Sequence, residues 1–369
     1  MLLVSVQYTM AEPPPVINAA AYVVADQQSE TILAGQDVDA RIEPAALTKL
    51  MTTYLVFQAL QDGKLQADAM LTLPTSGWQT DGSRLFMQPD VPMKAEDVIQ
   101  GMLAISANDA AITLAIAISG SEKAFVRQMN EQAERLGLKN THFINCTGLA
   151  AEGQYSSVGD LMQIAQLLQR DFPQYQSWFA RKSFVNNGMT QLNRNLLLFR
   201  DDQVDGMAVG YTIDGGYNLA ISTKRNGRSI IAILVGADSN EARAAEGSKL
   251  LSWALTSSNV AKLYDANHKI TELSVYKGSS TSVPIGFIHA AYVTLPAEGE
   301  KSLKSVLETV QPVVAPIRKG QSLGRLKLLN DKNQVVAEKN VVALEDVQEA
   351  RGLNNWFSRF GLWLRSIFN

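Results

Sequence analysis

The stretch Ile42-Glu43-Pro44-Ala45-Ala46-Leu47-Thr48-Lys49-Leu50-Met51-Thr52 decides how this chain is read. After Pro44, the residues Leu47, Leu50, Met51, Tyr54, Leu55 and Ala59 follow helical spacing, and Gly63 supplies the stop. Lys49 stands among apolar neighbours on both sides, which argues against a plain solvated helix lysine. Just upstream, Ala20–Asp26 and Thr31–Ala34, split by Gln27-Gln28-Ser29-Glu30, read as a β-hairpin. Downstream, Ala95–Ile105 and Ala110–Ile118 read as two mostly buried helices interrupted by Ser106-Ala107-Asn108-Asp109. Ser121–Leu136 and Ser157–Gln169 are further helices, each opening on a serine at an N-cap position.

Near the middle of the chain the period changes to two. Tyr217–Arg225 and Arg228–Val235 flank Asn226-Gly227, the strongest short hairpin signal a sequence offers. Asp205–Thr212 precedes them across Asp214-Gly215-Gly216, giving three successive antiparallel strands, and Ala242–Trp253 returns to helix. Beyond about Leu263, short β-like runs alternate with Gly, Pro and Asp-Lys-Asn turns, which predicts a small all-β sandwich of about 80 residues. That segment holds no cluster of nucleophile, base and acid, so a spacing or docking role is expected of it. The fold class is therefore α+β: helices on an antiparallel sheet, then a β domain.

Three ordered blocks carry a family resemblance. The stretch around Ala46 resembles the active-site block of penicillin-binding proteins, in which Ser-x-x-Lys opens a helix. Ser106-Ala107-Asn108 matches the second element, Ser-x-Asn, on the loop between helices. Val204-Asp205-Gly206-Met207-Ala208-Val209-Gly210-Tyr211-Thr212 aligns with the third, Lys-Thr/Ser-Gly, on an inner sheet strand. Gln191-Leu192-Asn193-Arg194-Asn195, Gly153–Ser157 and Leu138–Phe143 resemble one branch, the low-molecular-weight D-alanyl-D-alanine carboxypeptidases. The likeness covers nearly the whole chain. It implies a β-lactamase/transpeptidase-like domain over residues 16–262, a β-sandwich over 263–350 and an amphipathic helix over 351–369. It also implies acyl transfer on the D-Ala-D-Ala end of a peptidoglycan stem peptide, β-lactam binding in intact relatives, and no cofactor or metal.

The departures from the pattern bear on activity. Ala46 stands where the resemblance places the nucleophilic serine, and a methyl group cannot attack a carbonyl. Thr48, two positions on, faces roughly the opposite side of the helix. Ala208 and Val209 replace Lys and Thr or Ser, so a positive charge near the reaction centre and a hydroxyl for the substrate's carboxylate are both lost. What survives is Lys49, Ser106, Asn108, Gly210 and Arg194, with Thr212 further along the strand. By resemblance, Lys49 takes the nucleophile's proton, Ser106 and Asn108 position the substrate amide, and Arg194 meets the terminal carboxylate. Each has a plainer reading: helix capping for Ser106 and Asn108, a structural role for Arg194. Cys146 is expected to be a small buried hydrophobe and no replacement nucleophile.

Composition excludes other classes. At 369 residues the length implies two or three domains. With 46% apolar and 19% charged residues, the chain can bury a core. Lys plus Arg number 33 against 36 Asp plus Glu, so no general positive field draws a nucleic acid. One cysteine and three scattered histidines (His142, His268, His289) give no metal-ligand spacing.

The two ends complete the layout. Residues 1–15 resemble a clipped signal peptide, with Thr9-Met10-Ala11 meeting Glu12-Pro13-Pro14-Pro15, although the basic n-region is missing; a frayed N-terminus is the alternative. At the other end, Trp356, Phe357, Phe360, Trp363, Leu364, Ile367 and Phe368 gather on one side of a helical wheel. That face fits either docking on protein or an interfacial helix lying on a membrane surface, with Arg359 and Arg365 toward anionic lipid. Taken with the resemblance, these ends place the protein in the periplasm, peripherally attached to the outer face of the bacterial inner membrane.

Overall fold

A computed structural model describes residues 12–297 and 303–350. The expected signal-peptide remnant up to residue 11 and the amphipathic helix of 351–369, with Trp356, Phe357, Phe360, Trp363, Leu364, Ile367 and Phe368, lie outside the described residues. The chain divides into two compact units, residues 13–256 and a unit beginning at Ser257.

The first unit opens with β1 (Ala21–Asp26) and β2 (Thr31–Gln36), the hairpin expected from sequence. A 3-10 turn (Ala45–Thr48) leads into α1 (Lys49–Gln61). Then come β3 (Met70–Leu71), α2 (Thr75–Trp78), β4 (Met93–Lys94), α3 (Ala95–Ile105), α4 (Asn108–Ser119), α5 (Glu122–Leu136) and α6 (Val158–Asp171). A small hairpin, β5 (Ser183–Asn186) and β6 (Met189–Leu192), and α7 (Leu197–Arg200) precede the long strands β7 (Val204–Thr212), β8 (Gly216–Arg225) and β9 (Arg228–Ala237). Helix α8 (Asn240–Ser257) closes the unit.

The sheet order is β2-β1-β9-β8-β7, all antiparallel, so strands from both ends of the segment share one sheet. Asn226 and Gly227 hold φ of 52° and 79°, both positive as a two-residue hairpin turn requires. Ser121 and Ser157 cap their helices as expected, accepting from the backbone N–H of Ala124 and Asp160. Ten of the thirteen residues of α1 are buried, so it is apolar nearly all round and runs through the core rather than over it. Phe57 anchors its far end against Phe172, Tyr175, Trp178 and Phe179, mostly edge to face. At the opposite end of α1 sits Lys49.

The structure corrects the sequence reading in three places. The strand carrying Ala208–Gly210 was expected inside the sheet, yet β7 is its edge, and the 3-10 turn of residues 45–48 packs against it at Gly210. Only Ser106 and Ala107 interrupt the two buried helices, because Asn108 is already the first residue of α4. The β5–β6 hairpin went unread, although Asn187-Gly188 (φ 49° and 74°) repeats the signal seen at Asn226-Gly227.

The second unit is β-rich. It comprises β10 (Ser258–Tyr264), β11 (His268–Tyr276), β12 (Ser282–Phe287), β13 (Ala291–Pro296), β14 (Lys304–Thr309), β15 (Val313–Val314), β16 (Ser322–Leu329) and β17 (Val335–Ala343). Six form one sheet in the order β14-β16-β17-β12-β11-β15, and β10 pairs with β13. Val283, Ile285, Leu326 and Val341 supply its core. The α+β class, with a β-rich domain following the helical one, is thus the architecture observed.

Candidate active site

Ala46 stands in the 3-10 turn directly ahead of α1, and two glycines press backbone against it. A Cβ on Gly148 would lie 1.8 Å from the Ala45 carbonyl oxygen, and one on Gly210 would lie 3.0 Å from the Ala46 nitrogen. The turn is therefore pinned between the 145–149 loop and β7, and Ala45 takes up an uncommon φ of 47°. Ala46, Lys49, Ser106, Ala208 and Val209 line one cleft, closed at its back by Leu50, Met102 and Met207. Five of the residues singled out by sequence are thus brought together.

Lys49 is 5% exposed. Its amine donates to Asn108 Oδ1 at 2.7 Å and to the Thr147 carbonyl at 2.7 Å. Burial lowers its pKa to about 7, and the Arg194 charge acts in the same direction, against Cys146 and Asp109. A neutral amine carries two N–H bonds and one lone pair. With both N–H bonds committed to Asn108 and Thr147, what the neutral form has left to offer the cleft is a proton acceptor. An amine so placed can act as a general base near neutrality.

Asn108 is held as firmly. Its side-chain amide donates to the Asp81 carbonyl at 2.7 Å, and its backbone N–H to the Ser83 carbonyl. Next to it, Asp109 accepts from the backbone of Leu85, Met87 and Ala110, so the 81–87 loop is built onto the start of α4. Neither Ser106 nor Asn108 caps α4 through its side chain; Ser106 takes the C-cap position of α3 instead. Ser106 ends α3 in the left-handed region, φ 59°, which turns it into the cleft.

The remaining candidates sit at the margin. Arg194 is exposed and makes no ion pair among the described residues. Its carbonyl accepts from the buried Arg243, which also donates to the Gly210 and Asn218 carbonyls at 2.9 and 3.3 Å. Burial lowers the Arg243 pKa to about 10. Thr212 is engaged at the strand's end, donating to Glu43 Oε2 and accepting from the Gly215 N–H. Thr48 is fully buried with its hydroxyl unpartnered, out of reach of the cleft. Cys146 is buried too, but its thiol donates to Glu122 Oε1 at 3.3 Å; burial and that carboxylate push its pKa well up, away from the reactive thiolate.

A buried lysine next to an asparagine, at the head of a core helix and facing a sheet edge, is a geometry that comparison can place. A family profile described as "D-alanyl-D-alanine carboxypeptidase" matches residues 7–239, and one described as "Penicillin-binding protein 5, C-terminal domain" matches 259–349. This chain belongs to the D-alanyl-D-alanine carboxypeptidase family of low-molecular-weight penicillin-binding proteins. It is 34% identical to the carboxypeptidase DacA of Haemophilus influenzae, over 96% of this chain and 92% of that one. To DacA of Escherichia coli K12 it is 33% identical, over 98% and 90%. Among solved structures, penicillin-binding protein 5 from H. influenzae superposes with a TM-score of 0.82 at 35% identity, covering 92% of this chain and all of that one. Penicillin-binding protein D2 of Listeria monocytogenes, solved with ampicillin bound, matches at 28% identity and TM-score 0.60, covering 66% of this chain and all of that one.

The family works on D-alanyl-D-alanine termini in the cell wall and binds β-lactams. Sequence reasoning did not find Thr147, Asp81 or Arg243. The first two contribute backbone carbonyls, which leave no side-chain signal. Arg243 sits in Asn240-Glu241-Ala242-Arg243, where it reads as an ordinary surface charge.

Proposed function

We propose that this chain is a catalytically silent member of the family: it retains at most weak recognition of the D-Ala-D-Ala end of peptidoglycan stem peptides and does not turn them over. The observation that carries this reading is Ala46. It lines the cleft with Lys49 at the head of α1, where acyl transfer needs a hydroxyl, and its side chain is a methyl. In a serine hydrolase, loss of the nucleophile costs on the order of 10⁶ in turnover. Ala208 and Val209 take from β7 the charge and the hydroxyl that would meet the substrate.

In an intact relative the reaction is acyl transfer. A serine attacks the penultimate D-Ala carbonyl while the lysine at the position of Lys49 takes its proton. Backbone N–H groups hold the oxyanion, and the serine and asparagine at the positions of Ser106 and Asn108 return the proton to the leaving D-Ala. Here the base, its asparagine partner and the edge strand remain, and Arg194 is free to meet the peptide's carboxylate. The nucleophile is missing.

Labelled penicillin tests the reading directly: no covalent label is expected on the purified chain, and a labelled band overturns the silent assignment. We further place the protein in the periplasm, held on the outer face of the inner membrane by residues 351–369. Deleting Leu353–Asn369 then releases it from vesicles of anionic lipid; continued sedimentation refutes the anchor. A protein that neither labels nor binds the peptide yet stays on the membrane fits a scaffold working through its β domain and C-terminal segment.

A further inference from the structure

On the Asn108 side of the cleft, the segment from Trp78 to Met87 keeps two large aromatic residues exposed. Trp78 is 54% exposed and Phe86 is 43% exposed. Neither stands on a loose loop. Leu85 and Met87, on either side of Phe86, are buried, and their backbone N–H groups donate to Asp109 at 2.9 and 3.4 Å. The Phe86 carbonyl accepts from the side chains of Asn186 and Asn187, at 3.3 and 3.2 Å, at the tip of the β5–β6 hairpin. Trp78 closes α2, and Gly77 before it meets α4 closely: a Cβ there would lie 3.4 Å from the Asp109 carbonyl oxygen.

Phe86 also carries strain. Its φ is 57°, a left-handed conformation that a bulky side chain rarely adopts. Strain of this kind persists only where the surroundings over-determine it, and it gathers at ligand clamps. Here it turns an apolar ring outward between two buried neighbours. Arg84 braces that ring, with its guanidinium 5.2 Å from the ring centre, and donates to the Trp78 carbonyl at 3.4 Å. Among the described residues this is the only hydrogen bond of the Arg84 side chain, and it enters no ion pair there.

Two fixed aromatic surfaces and a guanidinium that touches both residues suit a ligand with apolar faces and polar edges. A pyranose ring is such a ligand. Its axial C–H groups carry partial positive charge and settle on the negative face of an aromatic ring. Its hydroxyl and acetamido oxygens accept from the free guanidinium N–H groups. The location narrows the sugar. Asn108 holds the Asp81 and Ser83 carbonyls, so the loop that bears Phe86 is continuous with the cleft. This step rests on the reading of the cleft given above. A stem peptide hangs from a strand of N-acetylated aminosugars, and its five residues span at most about 18 Å. A strand whose peptide lies in the cleft therefore runs within reach of this rim. We propose that Trp78, Arg84 and Phe86 form a platform for the aminosugar strand of peptidoglycan, separate from the site for its peptide.

The probe is tetra-N-acetylchitotetraose, an aminosugar chain with no peptide, titrated into the full chain and followed by chemical-shift perturbation. The parent protein is expected to bind it, and the doubly substituted Trp78→Ala, Phe86→Ala protein to bind about tenfold more weakly. Trp78→Ala alone, away from the strained residue, should weaken binding in the same direction and serves if the double variant folds poorly. Val185→Ala is the control. Val185 is 60% exposed, but it lies on the face of β5 opposite Phe184 and Asn186, the face turned toward residues 85 and 86, so its loss should leave the affinity unchanged. No binding by the parent, or equal affinity in the parent and the aromatic variants, overturns the platform. The peptide Nα,Nε-diacetyl-Lys-D-Ala-D-Ala, titrated separately, tests the cleft, and the aromatic variants should bind it as the parent does. Saccharide binding without peptide binding leaves the platform standing and removes the peptide reading of the cleft.

Discussion

The two walls of the cleft have fared differently. One wall, from α1, the end of α3 and the start of α4, has Lys49, Ser106 and Asn108. The other, from the 3-10 turn and β7, presents Ala46, Ala208 and Val209. The difference follows what each side chain does for the fold. Lys49 ties α1 to α4 and to the Thr147 carbonyl, and Asn108 ties α4 to the 81–87 loop. Removing either leaves buried polar groups unpaired. Ala46, Ala208 and Val209 occupy positions where a small apolar side chain keeps the backbone contacts, since the close approaches there are made by Gly148 and Gly210. On the proposed reading, chemistry is removable from one wall and built into the architecture of the other.

The largest effect that tests this contrast is on turnover. Restoring Ala46→Ser, Ala208→Lys and Val209→Thr together should recover D-Ala release, a gain on the order of 10⁶ over the parent chain. Release from the restored protein is measured with a D-Ala-D-Ala peptide; none would mean that the preserved wall is not competent after all. Next, Asn108→Ala should cost about 2–3 kcal/mol in urea unfolding, because it strands both Lys49 and the Asp81 carbonyl. A loss no larger than that of a surface substitution would break the contrast.

Stability should also carry a pH signature. The folded pKa of Lys49 is lowered to about 7, against the ordinary value of 10.5. Between those values the unfolded chain binds a proton that the folded one does not, so stability rises with pH across the window, by at most about 1.4 kcal/mol per unit. Below pH 7 both states are protonated and this contribution is flat. Lys49→Met should remove the slope, as read from denaturant midpoints at pH 7 and 9.5. The smallest effect belongs to the other wall: Val209→Thr alone puts a hydroxyl at a buried position lining the cleft and should cost about 1–2 kcal/mol, with no gain in turnover.

Much of this was legible in residues 42–52, 106–108 and 204–212, because helix starts, turns and sheet strands leave local patterns. The Asn226-Gly227 hairpin and the serine caps of α5 and α6 are cases where a short signal and the structure agree. What sequence did not show is side-by-side placement. That β7 lies at the edge, with a 3-10 turn about 160 residues upstream packed against Gly210, is a relation no window along the chain contains. Likewise, helical spacing locates α1 in the sequence, while its burial on nearly every side comes from α4, α5 and α6 packing round it. Partners that are carbonyl oxygens, such as Thr147 and Asp81, carry no residue-type signature at all.

Arg243 illustrates a different kind of dependence. Its guanidinium spans three carbonyls, from the segment before α7, from β7 and from β8, and meets no carboxylate among the described residues. A planar fork can satisfy acceptors that lie apart in this way, and a lysine's single point of charge cannot. The edge strand of the cleft thus hangs, at Gly210, from a side chain on the helix behind it. Arg243→Lys, conservative on paper, would loosen that suspension and let the strand drift from the turn bearing Ala46, altering the width of the cleft without touching any residue that lines it.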